Sequence, residues 1–105
     1  MSIYPRIVKI GETVKIHINL KNTSKKYTKP CVVLIIEKPN GHKITIFKKN
    51  VNLPPNTEIN KEFFYKTKNN DPQGKYIVNL FMKYNGKVIL SQTKETDFFE
   101  VKAKN

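Results

Sequence analysis

Cysteine occurs once, tryptophan is absent, and arginine supplies one of the 20 basic residues. A lone Cys31 excludes an internal disulfide and any metal site built on several cysteines. At the head of an apolar run, it reads as a small buried hydrophobe. A nucleophilic role would need a partner base, and only His17 and His42 are on offer. The longest apolar run, Cys31 to Ile36, is strand-sized and far short of the ~20 residues that span a bilayer. The four glycines are isolated turn residues, which excludes a Gly-rich phosphate loop. Met1-Ser2-Ile3-Tyr4-Pro5-Arg6 has neither an apolar stretch nor a small-residue cleavage site. As written, the chain is expected in the cytoplasm; as a piece of a larger exported protein, it would belong at the cell surface.

Acidic residues are also few. Eight carboxylates against 20 cations leave a net charge of +12, which raises nucleic-acid binding as one reading. The type and spread of the cations weaken it. All but Arg6 are lysines, whereas arginine makes the bidentate base and phosphate contacts. The lysines are also scattered, with Lys25-Lys26-Tyr27-Thr28-Lys29 and Lys48-Lys49 reading as solvated loop and edge positions.

What is present is period-two alternation and, in every window of helical length, no 3.6-residue periodicity. Ile3 to Ile10 reads as a first strand, placed at a sheet edge by Pro5. Thr13 to Leu20 alternates with Val14, Ile16, Ile18 and Leu20 inward and Lys15, His17 and Asn19 outward. A polar loop from Asn22 leads to Pro30. Cys31 to Lys38 is apolar on both faces, hence a central strand covered twice or one whose outer face meets a partner. Pro39-Asn40-Gly41 makes a tight turn in which Asn-Gly takes the positive-φ positions. His42 to Val51 returns, with Ile44 and Ile46 alternating against Thr45 and Phe47. Leu53-Pro54-Pro55-Asn56 crosses between sheets. Thr57 to Thr67 follows, with Ile59, Phe63 and Tyr65 on one face. Lys75 to Tyr84 places Tyr76, Val78, Leu80 and Met82 inward, and Asn85-Gly86 forms a second hairpin turn. Val88 to Gln92 and Asp97 to Val101 are one strand broken by a bulge near Thr93 to Thr96, or two short strands.

The pattern predicts an all-β, immunoglobulin-like Greek-key sandwich of two antiparallel sheets with seven or eight strands. It forms one domain over residues 1–105, with its core at 3–101 and a frayed tail at 102–105. Asp71-Pro72-Gln73-Gly74-Lys75-Tyr76 carries the most specific signal. A turn of Asp, Pro and Gly delivers Tyr76 to a strand start, as a tyrosine corner does, its ring buried and its hydroxyl bonded to the preceding loop. Asp71, Gly74 and Tyr76 are therefore structural, with Asp71 bonding its own turn.

Catalysis needs convergent groups, and the sequence offers none. Glu58 and Glu62 share one strand face, opposite lysines. Glu95 and Asp97 flank a bulge and are too few for Ca²⁺, which takes six to eight oxygens. His17 and His42 have no ligand spacing. Asn22-Thr23-Ser24 is a formal glycosylation sequon. No catalytic residue, cofactor or metal is expected, and the chain is read as a non-enzyme.

Two features point to binding instead. Ile77 and Phe81 have the opposite parity to Tyr76, and Val33 and Ile35 lie on a strand expected beside them. Together they form a candidate apolar interface for a protein partner or a second copy. The alternative is that the last strand, the Phe98-Phe99 pair or the N-terminal segment folds over it. Leu53, Pro54, Pro55 and Asn56 form a candidate binding loop, stiffened by its prolines. The lysines would steer association toward an acidic partner.

Gly11-x-x-Val14-x-Ile16-x-Ile18-x-Leu20-Lys21-Asn22, Pro39-Asn40-Gly41, Leu53-Pro54-Pro55-Asn56 and Gly74-Lys75-Tyr76-x-Val78 together resemble the cell-adhesion-related domain of bacteria and archaea. They also resemble macroglobulin-type and fibronectin-like accessory domains. The likeness covers about residues 8–101 and implies a non-catalytic binding or spacer module. Leu20-Lys21-Asn22-Thr23-Ser24 and Gly74-Lys75-Tyr76 also resemble the intracellular proteinase inhibitor family, whose longer mid-chain segment is absent here. That family implies a rigid exposed loop entering a protease cleft, for which Leu53 to Asn56 or Asn22 to Pro30 would serve.

Overall fold

Val14, Ile16, Ile18 and Leu20 are all fully buried, and this single stripe organises one of two facing sheets. The computed structural model describes residues 1–83, 90–91 and 96–104. Among them are nine strands and no helix: β1 (Ser2–Tyr4), β2 (Ile7–Lys9), β3 (Thr13–Asn22), β4 (Cys31–Glu37), β5 (Lys43–Asn50), β6 (Glu58–Lys66), β7 (Gly74–Lys83), β8 (Leu90–Ser91) and β9 (Thr96–Lys102). One sheet runs β1-β3-β6, with β8 also on β3; the other runs β2-β9-β7-β4-β5. Every pairing is antiparallel except β2 with β9. Both sheets turn their alternate apolar side chains inward, and Val32, Leu34, Ile36, Tyr76, Val78 and Phe99 complete the core from the second sheet. The protein is an all-β sandwich.

Ile3 to Ile10, expected as one strand, is two. Ile3 and Val8 are both buried yet five residues apart, so a single flat strand would put them on opposite faces. The chain breaks at Pro5 instead. Before it, β1 pairs with β3 in one sheet; after it, β2 pairs with β9 in the other. Each segment then buries its own apolar residue from its own side.

The β4–β5 connection departs from the expected two-residue turn. Lys38 O accepts from Gly41 N and Lys38 N donates to His42 O, and only Gly41 has positive φ, at 88°. Asn40 instead caps the turn, its Oδ1 accepting from His42 N. This is the longer hairpin loop that ends in a left-handed glycine.

A second irregularity follows. The β4–β5 register shifts between Leu34 and Ile35, pairing them with Phe47 and Thr45. Ile46 is thus an extra residue, and a bulge reverses the parity of everything after it. Phe47, expected outward, turns inward and meets Phe63 of the opposite sheet with ring centroids 5.1 Å apart.

The last segments resolve as two strands in different sheets, β8 beside β3 and β9 beside β7. The expected Asn85-Gly86 turn, the Val88 and Gln92 ends of the penultimate strand, the Thr93–Thr96 bulge (save Thr96) and Glu95 lie outside the described residues.

Candidate interaction surface

Asp71 does more than close its own turn. Its Oδ1 accepts from Lys38 Nζ at 2.7 Å, and its Oδ2 from Tyr65 Oη at 2.7 Å and from Lys68 N at 2.8 Å. One carboxylate therefore ties the β4–β5 turn, strand β6 and the β6–β7 loop together. Burial pushes its pKa up, but the bonds from Lys38, the Lys68 amide and Tyr65 together outweigh it, and the net shift is downward. Tyr76 is fully buried and donates to Pro72 O at 2.6 Å. Its ring stacks on Phe99 with centroids 5.0 Å apart. Burial, helped by the charge of Asp71, pushes the Tyr76 hydroxyl up to about 12. Burial and the bond to Asp71 raise Tyr65 further. Gly74 has φ of 129°, and a Cβ there would lie 3.0 Å from Pro39 Cγ. These residues hold one end of the sandwich rigid.

The four residues singled out as an interface come together on the outer face of the five-stranded sheet. Val33 lies directly opposite Phe81 across β4–β7, with Ile35 opposite Asn79 and Ile77 opposite Glu37. Val33, Ile35 and Ile77 are half-buried, while Phe81 is 52% exposed. Strand β9 does not cover this face. It lies in the sheet beside β7 and adds Phe98, 45% exposed, directly opposite Ile77. The N-terminal segment joins the far edge through β2 instead of crossing the patch. Cys31, expected in the core, shares this outer face and is half-buried, because its neighbour Val32 takes the inward position.

Phe98 was absent from the expected interface and is its most elaborated residue. Lys75 Nζ lies 4.3 Å from its ring centroid and Arg6 Cζ 5.7 Å, both within cation–π range. Arg6 is held there by a fork onto Asp97, with Nη1 to Oδ1 at 2.6 Å and Nη2 to Oδ2 at 2.9 Å. The hydrogen bond and the charge of Asp97 raise the Arg6 pKa. A shallow recess of about 310 Å³ opens here, lined by Lys75, Ile77, Thr96, Asp97 and Phe98. Both Asp97 oxygens thus bond the Arg6 guanidinium, and Oδ1 also accepts from Phe98 N at 2.8 Å. The signal in the sequence was parity: Phe98 and Phe99 are adjacent in a strand, so one of them must face outward.

The candidate loop fares differently. Leu53 is fully buried and pairs with Thr28 through both backbone groups, so it is a core anchor and cannot meet a partner. Pro54 and Asn56 are exposed and Pro55 half-buried, with Asn56 in the left-handed region at φ 53°. Buried Asn22 organises this end, its Nδ2 donating to Lys26 O at 2.7 Å and Leu53 O at 3.0 Å. A side chain so enclosed is closed to glycosylation. Glu58 lies opposite Lys21, as expected, but Glu62 faces half-buried His17; His42 is exposed.

No family model and no curated protein sequence matches the chain. Solved structures do. The Pseudomonas fluorescens alkylpurine DNA glycosylase AlkC, bound to DNA containing an abasic-site analogue, superposes with a TM-score of 0.73 at 19% identity over 96% of this chain. This chain spans 28% of the glycosylase's length. The CARDB domain of a Pyrococcus furiosus protein, in complex with di-metal ions, superposes with a TM-score of 0.65 at 19% identity, covering 96% of this chain and 83% of that one. The likeness is one of fold. The resemblance to that domain drawn from the sequence motifs holds at the level of the fold. Among the described residues, no three His, Cys, Asp or Glu side chains gather as a metal site.

Proposed function

We propose that this chain is a non-catalytic interaction module that presents the outer face of its five-stranded sheet to a protein partner. The observation that carries this reading is the pair of half-exposed rings, Phe81 and Phe98, set among Val33, Ile35 and Ile77. Aromatic residues at the centre of a patch supply the desolvated anchors of an interface. Lys75 and Arg6 beside Phe98 steer an acidic partner onto it. The fold shared with a CARDB domain fits the same role.

A photo-reactive side chain at position 81 tests this, with a second at exposed Tyr4 on β1 of the opposite sheet as control. In extracts of the source cells, position 81 is expected to trap a defined partner, which charged substitution of Phe98 abolishes. Equal trapping from position 4 overturns the proposal. Sedimentation equilibrium distinguishes a second copy of the chain from a different protein as that partner.

A second reading is favoured by the glycosylase, which contains a segment of this fold and was seen on DNA. Exposed rings flanked by cations also suit stacking of single-stranded bases. Fluorescence anisotropy with a labelled single-stranded oligonucleotide separates the two. Absence of binding at low salt removes nucleic acid, whereas binding that weakens steeply with salt supports it.

A further inference from the structure

We propose that the seam between strands β5 and β6 accepts an extended segment of another protein as an added β-strand, with a carboxylate of that segment seated between Lys49 and Lys61. This surface is separate from the Phe81 and Phe98 face, and the inference stands independently of it.

Strand β6 is a long and regular edge. Its nine residues pair with β3 in an unbroken register from Thr13–Lys66 to Lys21–Glu58, and among the described residues β6 pairs with nothing else. The bonds that bracket the ladder fix which groups are free. Asn22 N donates to Thr57 O, and Thr67 N donates to Glu12 O. In an antiparallel ladder, bonded and non-bonded pairs alternate. Hence Ile59, Lys61, Phe63 and Tyr65 exchange bonds with β3, while the N–H and C=O groups of Asn60, Glu62 and Phe64 point to the open side. That row is the template that strand addition uses.

The neighbouring edge of the other sheet is open too, since β5 pairs only with β4 among the described residues. Between the two edges the core is incompletely closed. Ile44 and Phe47 from β5, and Ile59 and Phe63 from β6, pack on the core but are only partly buried. Inward-facing side chains deeper in the sandwich are fully enclosed.

Each edge also turns one lysine toward the seam. Lys61 shares the inward parity of Ile59 and Phe63, and its Nζ lies 5.7 Å from the Phe47 ring centroid. Lys49 lies opposite inward-facing Val32. The two line a recess of about 210 Å³ together with Asn50, Val51, Asn52 and Ile59. Among the described residues, no carboxylate lines it. Inward-pointing charges on an edge strand discourage indiscriminate pairing, and here both have the same sign. A strand that brings a carboxylate opposite Lys61 removes that obstacle; one that brings an apolar or basic side chain leaves half-buried Lys61 and exposed Lys49 without a counter-charge at the joint. A second copy is a poor occupant, because full-length antiparallel pairing of β6 with itself sets Glu62 opposite Glu62.

The test uses the whole chain and a nine-residue peptide alternating valine and threonine, with glutamate at the central valine position. A control peptide carries lysine there. The glutamate peptide is expected to bind at least about tenfold more tightly than the control and to slow amide exchange at Asn60, Glu62 and Phe64. Lys61→Glu, and separately Lys49→Glu, should shrink or reverse that preference, while charged substitution of Phe81 leaves it unchanged. Equal affinity for both peptides, or absence of protection at those three amides, overturns the proposal. So does protection of the same amides in a self-associated chain without peptide, which would make a second copy the occupant.

Discussion

Asp71 is the residue on which the end of the sandwich depends. It is almost wholly enclosed, and its partner Lys38 is only 15% exposed at the side chain. Removing one member of a buried pair leaves the other charged and unpaired. Asp71→Ala is therefore expected to cost about 3 kcal/mol, with Tyr65 and the Lys68 amide also losing their acceptor. Urea denaturation measures it, and a cost below that of Tyr65→Phe, about 1 kcal/mol, would show that the hub contributes little.

The pH dependence follows from the same group of residues. The Asp71 pKa is lowered on folding, so its contribution is complete above the ordinary carboxylate value, about 3.9, and is lost as pH falls through the folded value. Asp71→Asn should flatten the acid limb of the stability curve. Tyr76 is raised to about 12 and Tyr65 is raised further. Their protonated forms are thus favoured in the folded state. Stability from this source is complete below the ordinary tyrosine value, about 10, and declines as pH rises through that value toward the folded ones. Tyr76→Phe should lose about 1 kcal/mol at neutral pH and show a smaller alkaline decline, read from chemical denaturation at pH 8 to 12.

At the scale of elements, two turn glycines carry different constraints. Gly41 has φ of 88° with open space around its Cα, whereas Gly74 has φ of 129° and Pro39 in the way. Gly41→Ala should cost about 1 kcal/mol for the left-handed backbone alone. Gly74→Ala should cost more, and Pro39→Ala in the same chain, which removes Cγ but keeps the Cβ at 3.3 Å, should recover part of the excess and none of the backbone share. Equal costs at the two positions would remove the role of the Pro39 contact. Strand positions were legible in the sequence wherever one face is buried: β3 alternates without interruption because every second residue must leave water. The sequence concealed what breaks that period. An extra residue at Ile46 reverses the parity of Phe47, and the change of sheet at Pro5 divides a run that reads as continuous. The apolar patch was legible through parity at Ile77 and Phe81. Phe98 was missed because the adjacent Phe98-Phe99 pair was read as a cover for the patch instead of a part of it. Leu53 was misread because an isolated leucine beside two prolines gives no periodicity to place it.

For the whole molecule, the proposed binding face is separate from the residues that hold the fold. Phe81→Glu together with Phe98→Glu removes exposed apolar area from a sheet that keeps its own core. The unfolding midpoint is expected to move by less than about 1 kcal/mol equivalent while partner association is lost. Loss of both together would place these rings among the residues that hold the fold.

The pairing of β2 with β9 has a mechanical consequence. β2 is the second strand and β9 the last; they run parallel and are joined by Glu100 N to Arg6 O at 2.7 Å and Ile10 N to Lys102 O at 3.0 Å. Tension between the termini, once β1 has peeled away, drags β2 backward and β9 forward along their common axis. The cross-strand bonds are then loaded in shear and must yield together instead of opening one after another like a zip. A sandwich closed this way resists stretching better than its small size suggests.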